Sequence, residues 1–222
     1  MKLILLLLSL ILLCHFIRAQ VPVSKEPRHH TVFENSKVRA LNVLIPPGDT
    51  TQYHLHSTPS VFINFTKTNT GSQLLNQQPQ KSTSVPGTIY FENLSAPNTR
   101  VHRVWNNDAA VFHVMDVELL GKDTGFAEAP LDLAYATLIV NLPCVRAYKT
   151  ALPKMQTITV KQRASAFLIV AVNNTNGYII ENGTKKPITL QAGELFWIEP
   201  SSNFTIGNLD KEDANYALIE VH

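Results

Sequence analysis

Hydrophobic residues along this chain come in short runs, interleaved with polar ones at a period of two rather than at helical spacing. VRALNVLI from Val38, SVFINF from Ser60, TIYF from Thr88, VHRVWN from Val101 and AVFHVMDVEL from Ala110 are each bounded by Pro, Gly, Asn or Ser. Such alternation between turn residues predicts β-strands, and many short strands at regular spacing predict a sandwich or barrel. Pro46-Pro47-Gly48-Asp49, Pro86-Gly87, Pro97-Asn98-Thr99 and Asn106-Asn107-Asp108 supply the turns. Residues 68–87 are polar, contain Pro79 and Pro86, and read as a long hairpin loop. Residues 20–36 read as a solvated lead-in that ends in a strand near Thr31-Val32-Phe33. Residues 121–136 break the pattern and read as a linker, with a helical turn expected at Leu131–Tyr135.

The pattern then repeats. Val38-Arg39-Ala40 recurs as Val145-Arg146-Ala147, and the same offset of 107 residues carries Pro46 onto Pro153 and Val61-Phe62-Ile63 onto Leu168-Ile169-Val170. Gly87 before TIYF resembles Gly193 before ELFW, and the closing strands AVFHVMDVEL and NYALIEV correspond. Two copies of one all-β domain are expected, at 37–120 and 137–222.

Composition narrows the classes. Lys2 precedes an apolar run from Leu3 to Leu13, too short for the roughly 20 residues that span a bilayer. With the small Ala19 at the cleavage point, residues 1–19 read as a signal peptide, so the mature chain is expected to be secreted or periplasmic, without a membrane anchor. Cleavage removes Cys14 and leaves Cys144, read as a buried inert thiol, so an intramolecular disulfide is excluded. Cleavage also removes Lys2 and Arg18, taking the 19 basic residues to 17, equal to the 17 acidic ones. Zero formal charge and no basic tract argue against a nucleic-acid partner. Sequons at Asn64, Asn93, Asn173, Asn182 and Asn203 bear on the chain only in a eukaryotic secretory pathway.

The candidate chemistry lies in PPGDTTQYHLHSTPSVFINF, from Pro46 to Phe65. Alternate residues of a strand share a face, so His54 and His56 point the same way. They form either half of a metal site or two unrelated surface histidines. In the second copy they fall on Lys161 and Arg163, donor-only cations that hold no metal, so any metal belongs to the first copy. His102 is the best third ligand. His29 and His30, being adjacent, face opposite ways and read as surface histidines. Asp116 and Glu118 alternate with the apolar positions and read as solvent-facing. Tyr53 reads as packing and Trp105 as core or barrel rim. His113 shares the apolar face of its strand and reads as a pocket residue or a satisfied buried histidine. No catalytic acid or base is assigned. There is no G-x-S-x-G, C-x-x-C, phosphate-cradling loop or dinucleotide fingerprint.

The spacing G-x5-H-x-H at Gly48, His54 and His56, followed about 45 residues on by P-x4-H-x3-N at Pro97, His102 and Asn106, resembles the two motifs of the cupin superfamily. The tandem copy resembles the two-domain bicupins. The resemblance implies two jelly-roll β-barrels and a metal on His54, His56 and His102 in the first, the second being degenerate. Three departures stand out. Ser60 and Val61 occupy the place of the motif glutamate, Thr99 replaces a motif glycine, and Gly87 lies too far upstream to lead the second motif. Without the carboxylate, one divalent ion of Fe, Zn, Ni or Cu is expected rather than Mn. Ser60 shares strand parity with the histidine pair and is a second pocket candidate. The resulting expectation is a metal-dependent dioxygenase or isomerase acting on a small polar molecule. The alternatives are a non-catalytic module for a sugar or other small ligand, and a metal-free structural protein. A homo-oligomer is compatible with either barrel.

Overall fold

The computed structural model describes residues 20–222, so the signal-peptide reading lies outside the described residues. The leading half comprises β1 (Val21–Pro22), β2 (His29–Glu34), β3 (Val38–Ile45), β4 (His54–His56), β5 (Ser60–Asn64), β6 (Thr68–Leu74), β7 (Gln80–Ser84), β8 (Ile89–Glu92), β9 (Arg100–Asn106) and β10 (Phe112–Leu119). They form two facing sheets, ordered β1-β4-β9-β6-β7 and β2-β3-β10-β5-β8. The trailing half comprises β11 (Ala136–Leu142), β12 (Val145–Thr150), β13 (Thr157–Val160), β14 (Ala166–Ala171), β15 (Thr175–Glu181), β16 (Thr184–Leu190), β17 (Leu195–Ile198), β18 (Phe204–Asn208) and β19 (Tyr216–Val221). Its sheets run β11-β12-β19-β14-β17 and β13-β18-β15-β16. The fold is all-β, two jelly-roll barrels in tandem. No helix among the described residues is long and apolar enough to cross a membrane.

The barrels pack through one sheet each. Val38, Ala40, Val61, Ile63, Met115 and Val117 of the first share a buried cluster with Val145, Ala147, Leu168, Val170, Ala217 and Ile219 of the second. Central strands are therefore covered on both faces: β5, β14 and β19 are buried at every position. The alternate positions face the barrel interiors. The trailing interior is a large apolar core around Tyr148, Phe167, Phe204, Tyr216 and Leu218. The leading interior has a smaller apolar cluster, Val43, Ile45, Phe62, Leu94 and Val114, because polar groups take the remaining space.

Several expectations change. The lead-in is part of the first barrel, since β1 pairs with β4 and β2 with β3. The polar stretch 68–87 is a strand hairpin rather than a loop. Its hydroxyls bond across the strands, Thr68 with Ser84 and Thr70 with Ser82 at 2.8 Å, which replaces apolar alternation as its stabilising pattern. No helix forms at Leu131–Tyr135; the segment is irregular and closes in a turn at Tyr135. Leu131 and Leu133 pack there against the trailing core. Trp105 lies on the outer sheet face across Gly71, where any Cβ would collide with the indole. His113 faces the seam and not the pocket. Its Nε2 lies 2.5 Å from Asn42 Oδ1, its ring packs on Phe65, and Gly193 of the second barrel leaves room for it. Cys144 is half-buried at the same seam.

The repeat is visible in hydrogen bonds. Asn106 Nδ2 donates to the carbonyls of Ile45 and Ala110, and its Oδ1 accepts from Asp108 N. Asn208 does the same with Leu152, Glu212 and Asp210. In the trailing interior Glu220 is fully buried and accepts from Arg163, Ser165 and Tyr148 at 2.7, 2.6 and 3.0 Å. Arg163 stands where the first copy has His56.

Removing Arg163 leaves the Glu220 carboxylate short of its nearest cation. Arg163→Ala is expected to lower unfolding free energy by about 3 kcal/mol, the lower end for breaking a buried pair, because Tyr148, Ser165 and Arg146 remain nearby. Equilibrium urea denaturation measures it; an unchanged midpoint would contradict this role. Burial also pushes the His113 imidazole down to about 4 from its ordinary 6.5. The unfolded chain takes up that proton below about pH 6.5, whereas the folded seam resists it to about 4, so stability is lost as pH falls through this window. The urea midpoint of wild type is expected to fall more steeply from pH 7 to 4.5 than that of His113→Gln, and parallel slopes would refute the assignment.

Candidate metal centre

The turn at Pro46–Asp49 returns the chain from β3 toward β4. Gly48 takes φ +73° there, Asp49 N donates to Pro46 O, and Gly48 and Asp49 bond to the Asn106 backbone. β4 is thus tied to β9 near its start. Its register sets His54 directly opposite His102 and His56 opposite Arg100. A one-residue slip would turn both β4 histidines out of the barrel.

The three histidines meet as the parity argument expects. One ring nitrogen from each of His54, His56 and His102 lies within 4.8 Å of the others. Nε2 of His56 and Nε2 of His102 are 3.1 Å apart. That is the separation of two nitrogens sharing an ion at about 2.1 Å from each. His54 Nδ1 lies 2.9 Å from the Gln52 carbonyl and donates to it, which leaves Nε2 as a bare lone pair. That Nε2 is buried and has no protein partner. A buried, unpaired acceptor is costly, and a cation satisfies it. Burial, with His29 and His56 adding to it, holds the His54 imidazole down to about 3. Burial, then His54 and His56, holds His102 down to about 2. Both rings are therefore neutral at neutral pH, the form that binds metal. The donor set fits a divalent transition ion.

Around the triad lies a cavity of about 200 Å³. Phe62 and Tyr90, stacked at 5.1 Å, form an aromatic wall with Phe112, and Thr70, Ser72 and Ser82 present hydroxyls. Glu92 and Arg100 line it as a pair 2.5 Å apart. Ser60 is buried but donates to the Thr58 carbonyl and does not line this cavity.

Two groups differ from the sequence expectation. His29 is buried beside the triad, its ring 4.7 Å from that of His54, while only His30 is exposed. Its Nδ1 is 2.7 Å from the fully buried Glu26, which also accepts from the backbone of Arg28 and Gln52. The parity rule that separates His29 from His30 also requires one of them to face inward. Asp116 and Glu118 are buried in the barrel at 1% and 3% exposure, not solvent-facing. Met115 and Val117, which alternate with them, cover the seam, so both faces of β10 are buried there. Glu118 accepts from Arg39 at 2.7 Å, and burial raises its carboxyl above the ordinary range. Asp116 lines the cavity, 3.4 Å from Nδ1 of His56.

No known protein-family profile and no curated protein sequence matches the chain. Solved structures do. Salicylate 1,2-dioxygenase from Pseudaminobacter salicylatoxidans superposes with a TM-score of 0.62 at 13% identity, over 96% of this chain and 82% of that one. It is matched also as an adduct with gentisate, at a TM-score of 0.62 and 12% identity over 92% of this chain and 76% of that one. AerE from Microcystis aeruginosa gives 0.59 at 10% identity, covering 89% and 98%. A cupin 2 conserved barrel domain protein from Leptotrichia buccalis gives 0.57 at 11%, covering 95% and 94%. At such identities the likeness is one of fold. In fold, two jelly-roll barrels in tandem, this chain is similar to these structures, a cupin barrel protein among them.

Proposed function

We propose that the leading barrel holds one divalent transition ion on His54, His56 and His102 and acts on a small molecule bound beside it. The observation that carries this reading is the convergence of three imidazoles, those of His54 and His56 buried and that of His102 half-buried, with a His54 Nε2 that no protein group satisfies. Held by three neutral ligands, the ion would supply Lewis acidity and open coordination positions for substrate oxygen atoms. The protein's own residues do the rest. Phe62, Tyr90 and Phe112 pack against the apolar part of the substrate and exclude water. Thr70, Ser72 and Ser82 orient its polar groups. With Nδ1 of His29 committed to Glu26, the nitrogen of that ring left to meet substrate is Nε2. The cavity, about 200 Å³, lies below the roughly 300–1,000 Å³ of pockets for drug-sized ligands, so the substrate is small.

A dioxygenase reaction is the reading we favour over isomerisation. It is supported by the open positions of a three-imidazole site and by the similarity in fold to a salicylate 1,2-dioxygenase with a gentisate adduct. The trailing barrel, with Arg163 and Glu220 in its interior, serves as a packing partner. Export of the chain is proposed on the apolar run Leu3–Leu13.

Protein purified without chelator is expected to carry about one Fe, Zn, Ni or Cu per chain by elemental analysis, and His54→Ala/His56→Ala to carry less than a tenth of that. Oxygen uptake is then measured against aromatic diols, hydroxy acids, diketones and thiols, and at least one class is expected to be consumed only by metal-loaded wild type. Metal retained in full by the double variant would refute the site, and turnover surviving metal removal would refute the mechanism.

A further inference from the structure

Four carboxylates lie around the interior of the leading barrel, and three of them are committed. Glu26 is bonded by His29 and by two backbone amides, Glu92 by Arg100, and Glu118 by Arg39. Asp116 is not. It is 1% exposed, it lines the cavity, and neither of its oxygens accepts a hydrogen bond from the protein. An uncompensated buried carboxylate is costly, so its place calls for a positive partner.

The group facing it is Nδ1 of His56, 3.4 Å from Asp116 Oδ2 and likewise buried without a hydrogen bond. The other nitrogen of that ring, Nε2, points into the triad, 3.1 Å from His102. Asp116 therefore sits behind the imidazole as seen from the triad. The internal repeat supplies a control. Cross-strand pairing sets Glu118 opposite Arg39 in the leading barrel and Glu220 opposite Arg146 in the trailing one. Two residues earlier, opposite Leu41 and Tyr148 respectively, stand Asp116 and Leu218. The barrel with the histidine pair has a carboxylate at this position. The barrel with Lys161 and Arg163 in their place has leucine.

We propose that Asp116 is the positioning residue of the metal centre: it accepts the Nδ1 proton of His56, fixes Nε2 as the ligating atom, and supplies the negative charge that three neutral imidazoles lack. This rests on the metal-site reading above. A carboxylate one step behind a ligand raises the ligand's basicity and holds its ring orientation without occupying a coordination position. The leading barrel thus keeps an anionic group near the ion while Ser60 and Val61 offer none.

The test is Co²⁺ binding by competition with a chromophoric chelator, on full-length protein first stripped of metal, for wild type, Asp116→Leu and Asp116→Asn. Wild type is expected to bind one Co²⁺. Asp116→Leu, which installs the residue type of position 218, is expected to bind about 10–100-fold more weakly. Its visible Co²⁺ spectrum should change, and its metal-free urea midpoint should not fall below wild type. Asp116→Asn keeps an acceptor without the charge, and its expected affinity lies between the two; it also serves if the leucine variant does not fold. Affinity within twofold of wild type in both variants would overturn the proposal, as would a loss of affinity matched by a loss of metal-free stability. Failure of wild type itself to bind Co²⁺ would instead remove the metal site on which it rests.

Discussion

Inside a barrel, polar groups that point inward are cut off from bulk water, and one left without a partner is costly. The two halves of this chain answer that constraint in different ways. In the trailing barrel Arg163 brings its own positive charge to Glu220, and Tyr148 and Ser165 complete the set. In the leading barrel the equivalent of Arg163 is His56, and the inward-pointing nitrogens converge on one another with no internal cation between them. One scaffold thus carries a guanidinium in one copy and a place for an ion in the other.

The scaffold that permits this is shared by the two halves. The paired asparagines Asn106 and Asn208 clamp equivalent turns, and the seam buries the outer faces of two sheets. Because β10 and β19 are apolar toward the seam, their inner faces can carry carboxylates without losing the packing that holds the strands. Stability at the seam and polarity at the site reside on opposite faces of the same strand. The degenerate barrel then contributes to the site indirectly, by covering the back of the sheet that bears Phe62, Val114 and Asp116.

Much of this was legible in the sequence. Period-two alternation gave the strands, the offset between Val38-Arg39-Ala40 and Val145-Arg146-Ala147 gave the two copies, and strand parity gave the common face of His54 and His56. His102 followed from the sequence motifs, and it stands opposite His54. What was not legible has a common cause. Alternation distinguishes two faces but does not say that both are buried. Asp116 and Glu118 therefore read as solvent-facing although the apolar positions of β10 cover a second barrel, and of the two readings of His113 the structure fits the satisfied histidine, bonded to Asn42, and not the pocket residue. His29 is hard to recognise in sequence because alternation puts it and His30 on opposite faces without saying which one faces inward. The β6–β7 hairpin was missed because threonine and serine ladders carry no hydrophobic period.

The account stands on one ion seated among three imidazoles. X-ray absorption of the metal-loaded protein at the edge of the bound metal tests this directly. Three imidazole nitrogens at about 2.0–2.2 Å, with the remaining positions filled by oxygen donors, is the result the account predicts. A metal bound by fewer than three imidazoles, or through the Cys144 sulfur, would contradict it.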